Sequence, residues 1–361
     1  MKDLKGNITE MSNYRPVMQS SCILKIFEMH ILNVLSEKIN FSQRQFGFTA
    51  GVSTADTCFL LKEVIYENTK NKNRVTATFI DLSKAFDKVN HFILGKKLLK
   101  KNIPVDIVFI LMHYLRNQFA VVKWKGAYSD WFVVDTGVRQ GGVLSPFLFN
   151  FFIDDIIRNI SNIPAGCLFG VVRVNVLAYA DDLVIIASSR SDMEELYTKL
   201  CLLINEHKLI LNKKKTKCID FCRTIRSNTE LFTKFGNDKL EIVKSHKYLG
   251  FMLESSLRDD ADIGLRLNKF YASTNSILRN FKLVNSETMS FLFKSYCMPD
   301  YGLCLWSHKD TMNKSIFKTF NVAYNNVLKR IIGVPTYSSS HEAAEACNVF
   351  SLKSPYCPFA S

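Results

Sequence analysis

The chain has 361 residues, 47% of them hydrophobic and 22% charged, and a formal net charge of +14. This excludes a disordered chain and leaves room for two domains, or for one large core with an appendage. The basic excess points to a polyanionic partner, nucleic acid before anionic membrane.

Residues 22–37, CILKIFEMHILNVLSE, place Ile23, Ile26, Phe27, Ile31 and Val34 at helical spacing. FSQRQFGFTAGVST (41–54) reads as a loop punctuated by Gly47 and Gly51, and 55–68 as a helix. RVTATFIDLS (74–83) is a predicted strand, and AFDKVNHFILGKKLLK a helix ending before Asn102 and Pro104. FAVVKW (119–124) and WFVVDTG (131–137) read as strands around a Gly-containing turn. In GVRQGGVLSPFLFNFFIDDIIRNI, Ser145 is the expected helix cap, with Pro146 at the first position. Residues 171–188 read as a β-hairpin with YADD at its tip. Ser191 with Glu194 forms a capping signature for a helix whose apolar face is Leu196, Leu200, Leu203 and Ile204.

KYLGFML (247–253) reads as a short strand. From about 255 to 332 the pattern becomes three helices without strands. The first carries Ile263, Leu267, Tyr271 and Leu278 on one side, and the second (287–298) is stopped by Pro299. The third carries a stripe of Phe317, Phe320, Tyr324, Leu328 and Ile331, stopped by Gly333 and Pro335. Arg266, Lys269, Arg279, Lys314, Lys329 and Arg330 are among the cations that decorate these helices. A domain boundary is expected near 255 and an irregular tail over 336–361.

The ten cysteines form no CxxC or Cys/His zinc pattern, and MKDLKGN lacks a signal peptide's apolar core. The longest apolar run, IVFILM at 107–112, is too short to span a membrane. The reading is a reducing, intracellular setting, nucleus or cytoplasm unassigned, with the cysteines as small buried hydrophobes.

Three carboxylates stand out. Asp81 ends the apolar strand TFID, and Asp181 and Asp182 sit at the tip of another apolar hairpin. An isolated buried carboxylate is costly unless something pairs with it. Three converging at strand ends need a cation, and Mg²⁺ takes carboxylate and phosphate oxygens. Two such ions can hold the attacking and leaving oxygens of a phosphoryl transfer. The bland readings are a helix cap for Asp81 and a solvated turn for Asp181 and Asp182. Neither accounts for the apolar flanks.

In context these residues resemble the reverse transcriptase domain of LINE-type (non-LTR) retrotransposons, in order, over roughly residues 10–335. NYRPV with LKIFE (13–28) and QFGF with ST (45–54) resemble the opening blocks. FIDLSKAFDKVNH (79–91), GVRQGGVLSPFLFNFFIDDI (137–156) and AYADD (178–182) resemble polymerase motifs A, B and C. LNKKKTK (211–217) and KYLGF (247–251) resemble D and E.

The resemblance implies Asp81 and Asp181 as ligands of two Mg²⁺ ions, with Mn²⁺ as substitute, and Asp182 beside them. It implies a metal-facing carbonyl on Leu82 and an aromatic gate at Phe86 that excludes a ribose 2′-OH. Gln140 and Gly141 would border the nascent base pair. Lys215, one of three consecutive lysines, would protonate the leaving pyrophosphate. Arg15 would take a structural or template-side role.

The expected fold is α+β, a right-hand polymerase. Partial fingers and a palm with a small antiparallel sheet would span 1–254, and a helical thumb 255–335. The expected function is RNA-directed DNA synthesis from dNTP onto a primer 3′-OH. Its partners would be an RNA template, a DNA primer, dNTP and a separate or upstream endonuclease, with no membrane. Because the first block begins at residue 13, a truncated reading frame or a piece of a longer polyprotein is expected. Relatives carry Arg where this chain has Thr49 and Val52. That departure motivates the alternative, a catalytically inactive remnant that only binds nucleic acid. A maturase-like role ranks below both, since no maturase-type extension follows the thumb.

Overall fold

The computed structural model describes residues 16–70, 73–222, 232–236, 238–297 and 314–349, with Thr9, Tyr14 and Trp306. Arg15, Pro299 and the side chains of Lys314 and Phe317 lie outside the described residues.

Helices α1 (Cys22–Ser36) and α2 (Thr54–Thr69) precede strand β1 (Val75–Ile80). A 3₁₀ turn at Phe86–Lys88 leads to α3 (His91–Lys100) and α4 (Val105–Arg116). Four two-residue strands follow: β2 (Phe119–Ala120), β3 (Lys123–Trp124), β4 (Ala127–Tyr128) and β5 (Phe132–Val133). Next come α5 (Ser145–Ser161), β6 (Cys167–Phe169), β7 (Val172–Val174), β8 (Val176–Tyr179), β9 (Asp182–Ala187) and α6 (Arg190–Glu206). Strands β10 (Lys217–Phe221), β11 (Phe232–Phe235), β12 (Asp238–Ile242), β13 (Ser245–Tyr248) and β14 (Phe251–Glu254) follow. Helices α7 (Asp260–Asn280), α8 (Ser286–Tyr296), α9 (Lys314–Ile332) and α10 (Ser340–Ala346) complete the order.

The chain divides into two compact units. The first comprises residues 1–53, 76–218 and 232–241. Its core is a sheet in the order β11-β12-β10-β1-β9-β8. β1 pairs antiparallel with β9, which pairs antiparallel with β8. Leu183 through Ala187 are each at most 1% exposed. Burial on both faces marks β9 as a central strand, which explains its unbroken apolar run. Helix α5 packs on β8, and α6 packs on β9 and on α5.

The second unit comprises residues 54–75, 219–231 and 242–361. Helices α7 and α8 both pack on α9, and α10 packs on α9. Its aromatic core joins Phe270, Phe293, Phe320 and Tyr324, with Trp306 against Phe320.

Several elements differ from the sequence reading. The helix expected from Ala85 starts at His91, where the Asn90 side chain accepts the Ile93 amide. Ser145 is the first residue of α5 rather than its cap. Ser189 caps α6 in place of Ser191, accepting from the Asp192 amide. KYLGFML belongs to a hairpin, β13–β14, rather than one strand. Leu249 and Gly250 form its turn, with φ +46° and +93°, and two left-handed residues suit the twist of a tight hairpin. In the expected irregular tail, residues 340–346 form α10, whose Ser339 cap accepts from the Glu342 amide. In α7 the buried side chains are Asp262, Ile263, Phe270 and Thr274, whereas Tyr271 is 41% exposed. In α1 they are Glu28, Ile31 and Leu35, while Ile23 and Ile26 are exposed.

Candidate active site

The carboxylates of the first unit are placed by strand register. Ile80 of β1 stands opposite Leu183 of β9, and Asp182 stands opposite Tyr179 of β8. One step beyond Ile80, Asp81 is level with Asp182. Ala180 and Asp181 make the two-residue turn between β8 and β9. All three Asp residues therefore lie at one end of three adjacent strands. Val176 to Ala178 and Leu183 to Ala187 are buried, Asp181 is half-buried and Asp182 is exposed. The apolar strands fix the backbone and the turn presents the acids.

That turn is strained. Ala180 has φ +54° and is 4% exposed, a backbone region that ordinarily favours glycine and costs other residues ~1–3 kcal/mol.

Asp81 is fixed from a second side by the segment carrying Lys215. Its amide donates to Thr216 Oγ1 at 3.2 Å, and its carbonyl accepts from the Asn212 amide at 2.8 Å. The Ser83 amide donates to the Ile210 carbonyl at 2.8 Å, and Leu82 bridges to Leu211. Of the lysine run, Lys213 pairs with Asp238 at 2.5 Å. That hydrogen bond and attraction hold the Lys213 ammonium above its ordinary pKa. Lys217 pairs with Glu241. Lys214 and Lys215 are exposed and carry no ion pair among the described residues.

Leu82 is buried, while Phe86 is half-buried and stacks on Phe149, centroids 4.3 Å apart and 16° from parallel. Gln140 Nε2 donates to Asp87 Oδ1 at 2.9 Å, which ties the B-motif loop to the Phe86–Lys88 turn. The Gln140 carbonyl accepts from the Met18 amide at 2.9 Å. The glycine pair serves close approach of the chain to itself. A Cβ on Gly141 would stand 3.0 Å from the Met18 carbonyl oxygen, and one on Gly142 2.8 Å from Ser145 Oγ.

Sequence reasoning missed two groups. Glu28, fully buried, accepts the Val143 amide at 2.5 Å and the Leu144 amide at 3.3 Å, and Tyr114 donates its hydroxyl to it. A carboxylate thus meets the positive N-terminal end of α5. The lone acid in an apolar helical stripe was its signal. Burial and the Glu28 hydrogen bond push the Tyr114 phenol well above its ordinary pKa. Asn150, a lone polar residue in FLFNFFI, donates to the Gly47 carbonyl at 2.7 Å.

Among the described residues no group of three or more His, Cys, Asp or Glu closes into a metal cage. Mg²⁺ is commonly held by one or two carboxylates, with substrate phosphates and water filling its octahedron. Asp81 and the Asp181–Asp182 turn at one strand end fit that open donor set. No described helix is long and apolar enough to cross a membrane. The described cysteines are free thiols, most of them buried or half-buried.

Three carboxylates thus stand at one end of the adjacent strands β1, β9 and β8 of an α+β unit. Residues 3–253 match the family described as "Reverse transcriptase (RNA-dependent DNA polymerase)", and the chain belongs to that family. Its α+β core is the family's right-hand polymerase fold. The family uses divalent metal ions.

The chain is 27% identical over 345 residues to a "Probable RNA-directed DNA polymerase from transposon BS" of Drosophila melanogaster, covering 90% of this chain and 37% of that protein. It is 29% identical over 237 residues to a "Retrovirus-related Pol polyprotein from type-1 retrotransposable element R2" of Nasonia vitripennis, covering 65% and 22%. The chain thus spans well under half of these relatives. Among solved structures, telomerase from Candida Tropicalis in complex with the TWJ fragment of telomeric RNA aligns at TM-score 0.44 and 13% identity, covering 91% of this chain and 54% of that one.

Proposed function

We propose that this chain is the RNA-directed DNA polymerase region of a non-LTR retrotransposon protein. It would extend a DNA primer on an RNA template by two-metal nucleotidyl transfer from dNTP. The observation that carries this reading is the register that sets Asp81 level with Asp182, beside the Asp181 turn. Asp81 and Asp181 would hold two Mg²⁺ ions, with Asp182 adjacent. When bound, these ions neutralise the triphosphate and favour the hydroxyl as nucleophile.

The primer 3′-hydroxyl would give up its proton to solvent water as its oxygen bonds to the α-phosphorus and the bond to pyrophosphate breaks. Lys215, without an ion-pair partner among the described residues, would give its proton to the departing pyrophosphate. The half-buried Phe86, backed by Phe149, would stand where a ribose 2′-OH collides. Gln140 and Gly141, held by Asp87 and Met18, would border the nascent pair, and Leu82 would add its carbonyl beside Asp81. Residues 255–335 would form the thumb and grip phosphates through the exposed Lys269, Arg279 and Arg330 without reading sequence, whereas Arg266 is paired with Asp262 and Lys329 is buried.

Primer extension with dNTP on an RNA template tests the reading. Incorporation that Asp181→Ala abolishes is expected, and incorporation unaffected by that change would overturn it.

A second reading, binding of nucleic acid without catalysis, rests on the 45–54 segment. It carries no Lys or Arg, and the neighbouring Arg44 donates Nη2 to the Arg173 carbonyl at 2.7 Å. Salt-dependent RNA binding with no incorporation above an Asp181→Ala background would favour it.

A further inference from the structure

The QFGF block lies far from YADD in sequence, and the proposed chemistry assigns it nothing. In the fold it stands directly behind the carboxylate turn. The Phe46 amide donates to the Ala178 carbonyl at 2.8 Å, and the Ala178 amide donates to the Arg44 carbonyl at 2.9 Å. Gln45, 4% exposed, uses Oε1 to accept from the Gly47 amide at 3.0 Å and the Ala180 amide at 3.1 Å. The Gly47 carbonyl in turn accepts from Asn150 Nδ2 at 2.7 Å. There is no room for a larger residue at 47, where a Cβ would stand 2.3 Å from the Ala180 nitrogen.

The turn can be followed atom by atom. Ala180 is left-handed without being glycine, so it is held there by surrounding contacts rather than by preference. Its buried amide lies between Tyr179 and Asp181, and the Gln45 oxygen satisfies it. An unmet buried amide would favour relaxation of the turn. Relaxation would move the Asp181 carboxylate relative to Asp81.

We propose that Gln45 is a positioning residue: it locks the Ala180 amide and so fixes the Asp181–Asp182 turn for cation binding. This deepens the polymerase reading and rests on it.

The test compares wild type, Gln45→Met (similar length, no oxygen acceptor) and Gln45→Glu (acceptor oxygen kept). Amide hydrogen exchange at Ala180 and Mn²⁺ binding by electron paramagnetic resonance are measured without nucleotide, and primer extension separately. Gln45→Met is expected to lower Ala180 protection about tenfold. It should also weaken Mn²⁺ binding several-fold, leave exchange in β1 and β9 unchanged, and raise the Mg²⁺ concentration needed for half-maximal extension. Gln45→Glu should restore Ala180 protection. If Gln45→Met fails to fold, Gln45→Ala takes its place.

Mn²⁺ affinity unchanged while Ala180 loses protection would overturn the proposal, as would wild-type Mn²⁺ binding that ignores Asp181→Ala. If wild type binds Mn²⁺ through Asp181 yet incorporates nothing, the polymerase reading fails, and the Mn²⁺ comparison alone decides the role of Gln45.

Discussion

Glu28 and Val143 are 115 residues apart in sequence, yet the Glu28 carboxylate accepts the Val143 amide at 2.5 Å inside the first unit. The same carboxylate serves Leu144 and Tyr114. Removing it leaves three donors unmet in a closed site. Glu28→Ala is therefore expected to lower unfolding stability by about 3 kcal/mol. Glu28→Gln, which keeps an acceptor oxygen, should cost less. Urea denaturation of both variants checks the order, and equal losses would contradict it.

The YADD hairpin was legible because its apolar flanks are long, though it spans 176–187 rather than 171–188, since Val172 to Val174 pair with β6. β1 and β9 were legible for the same reason, and so was the helix that buries Leu196, Leu200, Leu203 and Ile204. The support behind the turn was not. The Gln45–Ala180 hydrogen bond joins residues 135 apart and leaves no periodic trace in either segment. Glu28 was hidden differently. Periodicity counts Ile23 and Ile26 as core, but tertiary partners bury the charged residue and expose those two. Leu249 has no residue preference for its left-handed turn, so the β13–β14 hairpin read as one strand. Helix α10 was invisible because its buried residues, Ala343 and Ala344, make no strong apolar stripe.

Phe86 lies over Phe149 at 4.3 Å, so its ring is supported from one side. Under the proposed function, Phe86→Val opens space where a 2′-OH would enter. The ratio of kcat/KM for dNTP over rNTP is expected to fall about tenfold or more. The cavity left against Phe149 should cost about 2 kcal/mol in stability. Single-nucleotide incorporation kinetics with both substrates measures the ratio, and an unchanged ratio would remove Phe86 as the gate.

His207 predicts an acid-sensitive fold. Its Nδ1–H donates to the Leu203 carbonyl at 2.7 Å, while Nε2 is buried with no hydrogen-bond partner among the described residues. Burial first, then the nearby Lys97 cation, push its pKa below 6.5, against the opposing pull of Asp155 and Glu206. The unfolded chain therefore takes up a proton near its ordinary value while the folded chain does not. The stabilisation is full above pH 6.5 and is lost as pH falls from there toward the folded value. Urea midpoints measured from pH 8 to 5 should decline. His207→Gln should flatten that part of the curve, and a slope equal to wild type would exclude His207 as its source.

Gly47 and Gly264 should respond in opposite directions to alanine. At Gly47 the new Cβ would stand 2.3 Å from backbone nitrogen, so Gly47→Ala must displace the carboxylate turn. Loss of both stability and primer extension is expected. At Gly264, inside α7, no described atom beyond the helix's own neighbouring residues lies within 4 Å of the added carbon. Gly264→Ala should stabilise by about 0.5–1 kcal/mol through reduced backbone entropy. Thermal unfolding of the two variants distinguishes them, and a stabilised Gly47→Ala would contradict the packing behind YADD.

Asp262 makes the corresponding prediction for the second unit. It is 4% exposed and accepts from three donors: the Met252 amide at 3.0 Å, Arg266 Nε at 2.7 Å and Trp306 Nε1 at 3.1 Å. The Arg266 guanidinium also lies 4.5 Å from the Phe251 ring centroid and 5.9 Å from that of Trp306. One carboxylate therefore joins the β13–β14 hairpin, α7 and the buried indole. Asp262→Ala leaves a largely buried cation and two donors without their acceptor, a loss of about 3 kcal/mol. Trp306 provides a local reporter, because its fluorescence should shift to the red as the indole gains solvent. Asp262→Asn keeps an acceptor oxygen but lacks the charge, so it should fall between wild type and Ala. If Asp262→Ala left the Trp306 emission and the urea midpoint at wild-type values, aromatic packing alone would hold this unit together.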